Sequence, residues 1–162
     1  MKHTISVKFR NNFNALSRII GLFSGRGFNV DTVSFGESAE PGLARMTITT
    51  EGDEQIIDQI NKQLDKIVDV KKVMDMTYEP FVERELALVK VASTPETRSE
   101  IIEVVNVFRA KIIDISPTTL TIEVTGKEDK VNAAIGMLRP FGLHEVARTG
   151  SVALKREFKG VT

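Results

Sequence analysis

The stretch "ISVKFRNNFNALSRIIGLF", residues 5–23, changes period in its middle. Ile5, Val7 and Phe9 alternate with Thr4, Ser6 and Lys8, the two-residue period of a strand with one buried face. From Ala15, the residues Leu16, Ile19, Ile20 and Phe23 fall at i, i+3, i+4 and i+7 and line one face of a helix, which Gly25 or Gly27 can end. A strand therefore leads through a short turn into a helix. That turn holds three asparagines in four positions, Asn11, Asn12 and Asn14.

The same reading extends outward from this unit. "FNVDTVSFGES" (28–38) is rich in β-branched and aromatic residues, Pro41-Gly42 marks a turn, and Ala44, Met46 and Ile48 alternate with polar neighbours, which predicts a hairpin. Asp53 is placed to cap a helix with Ile56, Ile60, Leu64 and Ile67 at helical spacing, and "VDVKKVMDM" (68–76) supplies a closing strand. Beyond Pro80 the order repeats. "ELALVKV" (85–91) is a strand; Thr94-Pro95 offers a hydroxyl cap and an N1 proline to a helix carrying Ile101, Val104, Val105 and Phe108. A hairpin around Pro117, a helix with Val131, Ala134, Ile135 and Leu138, and the strand "LHEVA" (143–147) complete the second unit. The expected fold class is α+β, two tandem ferredoxin-like βαββαβ sandwiches, divided into residues 1–78 and 79–162. Each such sandwich leaves one sheet face without helices and has open edges, so a homodimer is expected.

Composition bounds the function. The chain has 162 residues, 41% hydrophobic and 27% charged, within the globular range. Lys plus Arg and Asp plus Glu are 22 each, so the broad positive surface of a nucleic-acid binder is disfavoured. There is no cysteine, and His3 and His144 are the two histidines, so thiolate chemistry is impossible and no metal site is expected. No secretory leader or membrane span is legible, which makes the cytoplasm the default. No G-x-S-x-G, H-E-x-x-H or phosphate-loop spacing occurs, and "SGRGFN" (24–29) follows a helix where a phosphate loop precedes one. No catalytic residue is assigned. His3, His144 and the acidic groups at 51–54 and 83–85 read as ordinary strand, cap or surface residues.

The asparagine turn has two readings. In the structural one, Asn11 or Asn12 caps the helix and Asn14 takes a left-handed backbone position, which its short amide tolerates. In the functional one, N–H groups at a helix N-terminus and asparagine carbonyls suit a carboxylate and an ammonium on one small molecule, as in a free amino acid. The local pattern by itself favours the structural reading.

"ISVKFRNNFNALSRIIGLFSGRGFNVDTVSFGES", "LARMTITTEGD" and "QINKQLDKIVDVKKV" in the first half, with "RELALVKV", "FRAKIIDISPTTLTIEVTG" and "EVARTGSVALKR" in the second, resemble the small regulatory subunits of acetolactate synthase (acetohydroxyacid synthase). The resemblance implies an N-terminal ACT domain, over 1–78, that binds a branched-chain amino acid, usually valine, at a dimer interface. It implies an ACT-like C-terminal ferredoxin-like domain over 79–162. It further implies a catalytic large subunit whose activity this chain raises and places under valine feedback in branched-chain amino acid biosynthesis, isoleucine included. Thiamine diphosphate, magnesium and FAD are then expected on that partner and no cofactor on this chain. In the family the effector turn reads Asn-x-x-Gly-x-Leu; here Asn11 and Leu16 match and Asn14 stands in the glycine's place. By that resemblance Asn11 holds the amino-acid head group, the N–H groups of Asn14, Ala15 and Leu16 meet its carboxylate, and Asn29 with Val30 completes the pocket across the dimer. Asn14 would reshape the pocket and bear on valine sensitivity. The alternatives are a stand-alone amino-acid sensor acting on transcription and a small enzyme on the same fold.

Overall fold

The computed structural model describes residues 1–26 and 28–157. Of these, residues up to 82 together with 151–157 form one compact unit, and Glu83–Gly150 the other. The division by sequence at 78/79 gave everything beyond that point to the second unit. In the structure the chain returns to the first unit after Gly150.

In the first unit, β1 (Lys2–Arg10), α1 (Phe13–Arg26), β2 (Val30–Glu37), β3 (Leu43–Glu51), α2 (Glu54–Asp65) and β4 (Val70–Asp75) follow the ferredoxin-like order, and the antiparallel sheet runs β2-β3-β1-β4. The long alternations of β1 and β3 set the register: Ile5 faces Ile48, Val7 faces Met46 and Phe9 faces Ala44, an apolar stretch that ends at the buried polar pair His3 and Thr50 on the same face. Ala15, Ile19 and Phe23 of α1 and Ile57, Ile60 and Leu64 of α2 bury against it. At about 1.5–3 kcal/mol for each large aliphatic side chain buried, this face dominates the stability of the unit. Ile20 is 42% and Ile56 38% exposed; Ala15 and Ile57 hold the buried places that the apolar spacing gave to Ile20 and Ile56. Periodicity locates the stripe, and docking on the sheet selects its centre line.

The other sheet face carries Ser6 and Thr47, and both are buried. A strand that the apolar spacing did not mark, β9 (Val152–Lys155), runs over this face: Ala153 N–H donates to Thr47 Oγ1 at 3.3 Å, and Arg156 N–H to Pro80 O at 2.8 Å. Four residues with a single buried side chain, Ala153, are too short a pattern to announce a strand.

The second unit contains β5 (Phe81–Ala92, from Glu83), α3 (Arg98–Val107), β6 (Lys111–Ile115), β7 (Thr119–Gly126), α4 (Glu128–Leu138) and β8 (Leu143–Arg148), with sheet order β6-β7-β5-β8. Ala87, Val89 and Val91 meet Leu120, Ile122 and Val124 under the two helices. Here α3 starts at Arg98 with Thr97 as its cap residue, three positions later than Thr94-Pro95 suggested. Thr94 Oγ1 instead accepts from Thr97 N–H at 3.2 Å, so threonine and proline close a turn ahead of the helix. Glu85, expected at the surface, is 2% exposed and takes a two-pronged ion pair from Arg148, Nε at 2.5 Å and Nη2 at 3.2 Å. The fold is two tandem ferredoxin-like sandwiches.

Candidate functional site at the asparagine turn

The turn after β1 is held at three points. Arg10 N–H donates to Asp69 O at 2.9 Å, Asn11 N–H to Gly42 O at 2.9 Å, and Asn12 N–H to Arg10 O at 2.8 Å. Gly42 has φ of 78°, a backbone angle glycine adopts without the clash of a Cβ, so the Pro41-Gly42 turn can present its carbonyl to Asn11. Arg10 Nε and Arg18 Nη1 lie 3.9 and 3.8 Å from the Asp69 carboxylate, exposed pairs that contribute little stability but hold the helix's outer face to the end of the sheet.

Asn12 is the helix cap: its Oδ1 accepts from Ala15 N–H at 2.8 Å, and its carbonyl accepts from Leu16 N–H at 3.2 Å. Asn14 does not take a left-handed conformation. It is the second residue of α1, and Arg109, at φ 52°, is the one non-glycine residue with positive φ among those described. The reason is the cap: once Asn12 closes the first turn, the following residues are already helical. Gly25 lies inside α1, so it does not end the helix; Gly27 falls outside the described residues.

The capping bonds redistribute the donors that the resemblance placed at a carboxylate. Ala15 and Leu16 N–H groups are engaged by Asn12, while Phe13 and Asn14 occupy the first two helical positions, whose N–H groups have no carbonyl one turn back. Asn11, Asn12, Phe13 and Asn14 are all solvent-exposed, Phe13 at 81%. Asn12 is the cap that the residue pattern left open between two candidates, and Gly42, read only as part of the hairpin turn, is the residue of this site that it missed.

Asn29 and Val30 lie elsewhere. Asn29 is exposed and its carbonyl accepts from Thr50 Oγ1; Val30 pairs with Thr50, which pairs in turn with His3 at the start of β1. At about 3.3 Å per residue, the strand from His3 to Asn11 spans about 26 Å. One copy of the chain therefore does not bring Asn29 and Val30 to Asn11. At the far end of β2, Glu37 pairs with Ala44, the partner of Phe9, and so lies at the level of the turn. β2 is a sheet edge, and its Phe35 is 52% exposed.

Among the described residues no group of three or more His, Asp or Glu side chains is arranged to hold a metal ion, and no helix is long and apolar enough to cross a membrane.

Comparison with known proteins agrees over both units. Residues 5–72 match the family model described as "AHAS small subunit-like ACT domain", and residues 84–157 the one described as "Small subunit of acetolactate synthase". The chain is 51% identical over 158 residues to an acetolactate synthase small subunit of Aquifex aeolicus, covering 96% of this chain and 82% of the relative. It is 42% identical to one of Mycobacterium bovis, covering 98% and 95%. The crystal structure of the acetolactate synthase small subunit from Thermotoga maritima superposes with a TM-score of 0.88 at 42% identity, over 96% of this chain and 98% of that one.

Proposed function

Because this chain belongs to the acetolactate synthase small-subunit family, we propose that it is the non-catalytic regulatory partner of a cytoplasmic acetolactate synthase large subunit, raising its activity and subjecting it to feedback by valine. Acetolactate formation, with thiamine diphosphate, magnesium and FAD, belongs to the large subunit. The relatives favour this over a stand-alone regulator of transcription.

The observation that carries the effector site is the separation of Asn11 from Val30. Two β2 edges paired antiparallel about a twofold axis would set Val30 of one copy beside Glu37 of the other, and Glu37 lies at the level of the asparagine turn. Such a homodimer covers Phe35 and completes two equivalent pockets, each with Asn11 from one copy and Asn29 with Val30 from the other. A valine carboxylate would meet the N–H groups of Phe13 and Asn14 at the positive end of α1, and its ammonium the Asn11 side-chain carbonyl. Asn14, in the place of the family's glycine, adds an amide at the pocket mouth and sets the affinity.

Feedback is then a coupling of about 1–3 kcal/mol between this pocket and the catalytic subunit, with valine tightening the dimer and altering the subunit contact. The test is the rate of acetolactate formation by the cognate large subunit, with and without this chain, across a valine titration. Activation that valine reverses is the expected result. Activation without inhibition would overturn the valine site, and no activation would overturn the regulatory role.

A further inference from the structure

On the sheet face of the first unit that carries no helix, Lys8 of β1 stands directly opposite Arg45 of β3 and Lys72 of β4. The sheet order β3-β1-β4 thus sets three cations in one row. Like charges directly opposite on neighbouring strands destabilise a sheet, and the chain has no cationic surplus to force them together, with 22 basic and 22 acidic residues. Lys8 is relieved by Glu40, whose carboxylate lies 2.5 Å away. Arg45 and Lys72 have no hydrogen-bonded or ion-paired carboxylate among the described residues, and Arg45 acts on Glu40 only through its field.

All three cations line one cavity of about 270 Å³. That is a little below the usual range of ligand pockets, about 300–1,000 Å³, so its occupant is small. Ser6, two residues before Lys8 on the same face, is also in the lining; it is 7% exposed, and its hydroxyl has no hydrogen-bond partner among the described residues. The side-chain atoms there that lack both a partner and solvent access are His3 Nε2 and Asn61 Oδ1, so the Ser6 hydroxyl opens into the cavity. Met74 and Met76 supply an apolar wall. At the β9 end, Lys155 is a fourth cation, 3.7 Å from Glu79, and Glu157 is the one carboxylate of the lining.

We propose that this cavity binds a phosphate dianion, free or as the monoester of a small alcohol, at a site that shares no residue with the asparagine turn. The Arg45 guanidinium offers a planar fork to two phosphate oxygens, and the Lys72 ammonium and the Ser6 hydroxyl donate to the third. Arg45 and Lys72 are rooted two strand spacings apart, about 9–10 Å, which their long side chains close over Lys8. A lone carboxylate, with one charge and two oxygens, would leave part of this donor set unmatched. Glu157 opposes an anion, but Arg45 and Lys72 together outweigh it. The site needs neither the large subunit nor valine, so its test is independent of the regulatory reading.

The probes are inorganic phosphate and glycerol 3-phosphate, titrated at about pH 8, where a phosphate monoester carries close to two charges, into the full-length chain carrying ¹³C-methyl methionine. Met46, buried under the helices, and Met137 on α4 are internal controls. Saturable movement of the Met74 and Met76 methyl resonances with both controls unmoved is expected. Tighter binding of the ester would assign the site to an organic phosphate, and equal affinity to free phosphate. Arg45→Gln and Ser6→Ala should each weaken binding by about tenfold or more, through loss of a hydrogen bond to a charged group. Arg45→Lys, which keeps the charge and loses the fork, should fall between parent and Arg45→Gln and guards against a folding defect in the latter. A response no larger than that to sodium chloride at equal ionic strength, equal affinity for acetate, or unchanged affinity in Arg45→Gln would overturn the proposal.

Discussion

Asn12 Oδ1 accepts from the backbone N–H of Ala15 at 2.8 Å, and this one bond decides which donors of the first α1 turn remain open. Removing it by Asn12→Ala should lower the unfolding free energy by about 1 kcal/mol, whereas Asn12→Asp or Asn12→Ser should retain most of it. Urea unfolding of the three variants is the measurement. A loss in Asn12→Asp equal to that in Asn12→Ala would contradict the capping role.

Asn14 is helical in the position the family gives to glycine. Asn14→Gly removes the amide from the mouth of the proposed pocket. It should tighten valine binding at a stability cost no greater than about 0.5–1 kcal/mol, the usual penalty for glycine in a helix. Calorimetric titration of valine into both proteins measures the first, and thermal unfolding the second. Unaltered valine affinity would remove Asn14 from the site.

Arg109 occupies the left-handed position that ends α3, with Ala110 N–H donating to Val105 O at 2.9 Å and Arg109 N–H to Asn106 O at 3.1 Å. This is the bonding pattern in which glycine is the usual residue. Arg109→Gly should stabilise the protein by about 0.5–1 kcal/mol, the relief of a left-handed Cβ less the entropy glycine loses. A thermal melt of the variant should move upward, and a downward shift would show that the arginine side chain contributes more than the strain.

Glu85 is buried and Arg148 is its counter-ion, Nε 2.5 Å from Oε1. Arg148→Ala strands a charge in the second unit and should destabilise it by about 3 kcal/mol. Adding Glu85→Leu to that variant should recover most of the loss, because an apolar side chain needs no partner there. Denaturant unfolding of the single and double variants checks this, and additive losses would show that the pair is not coupled.

Lys8 Nζ lies 2.5 Å from Glu40 Oε1, and its hydrogen bond and charge hold the Glu40 carboxyl below its ordinary pKa. A depressed carboxylate pKa contributes stability that is present above the ordinary glutamate range and lost as pH falls through the lowered value. Glu40 is solvent-exposed, so salt should shrink the effect. A ¹³C titration of the Glu40 carboxyl should give a lowered pKa that returns to normal in Lys8→Ala. An unmoved midpoint in that variant would remove Lys8 as the cause.

What the residue pattern determined and what folding decided separate by the range of the interaction. Element order and the apolar faces follow from neighbours a few positions apart, which is why the alternation of Ile5, Val7 and Phe9 and the spacing of Val131, Ala134, Ile135 and Leu138 were legible and are buried as read. The capping roles of Asp53, and of Asn12 as one of two candidates, are equally local. Contacts between residues distant in the chain were decided only by the tertiary structure. The return of Ala153 to Thr47, the burial of Glu85 against Arg148, and the pairing of His3 with Asp75 each join positions 60 or more apart, and no short pattern announces them. The proposed effector site shows the limit most clearly. Asn11 could be picked out beside its helix, but its separation from Val30 by the length of a strand is a property of sheet order, because hydrogen-bond register and not chain proximity fixes which ends of strands meet.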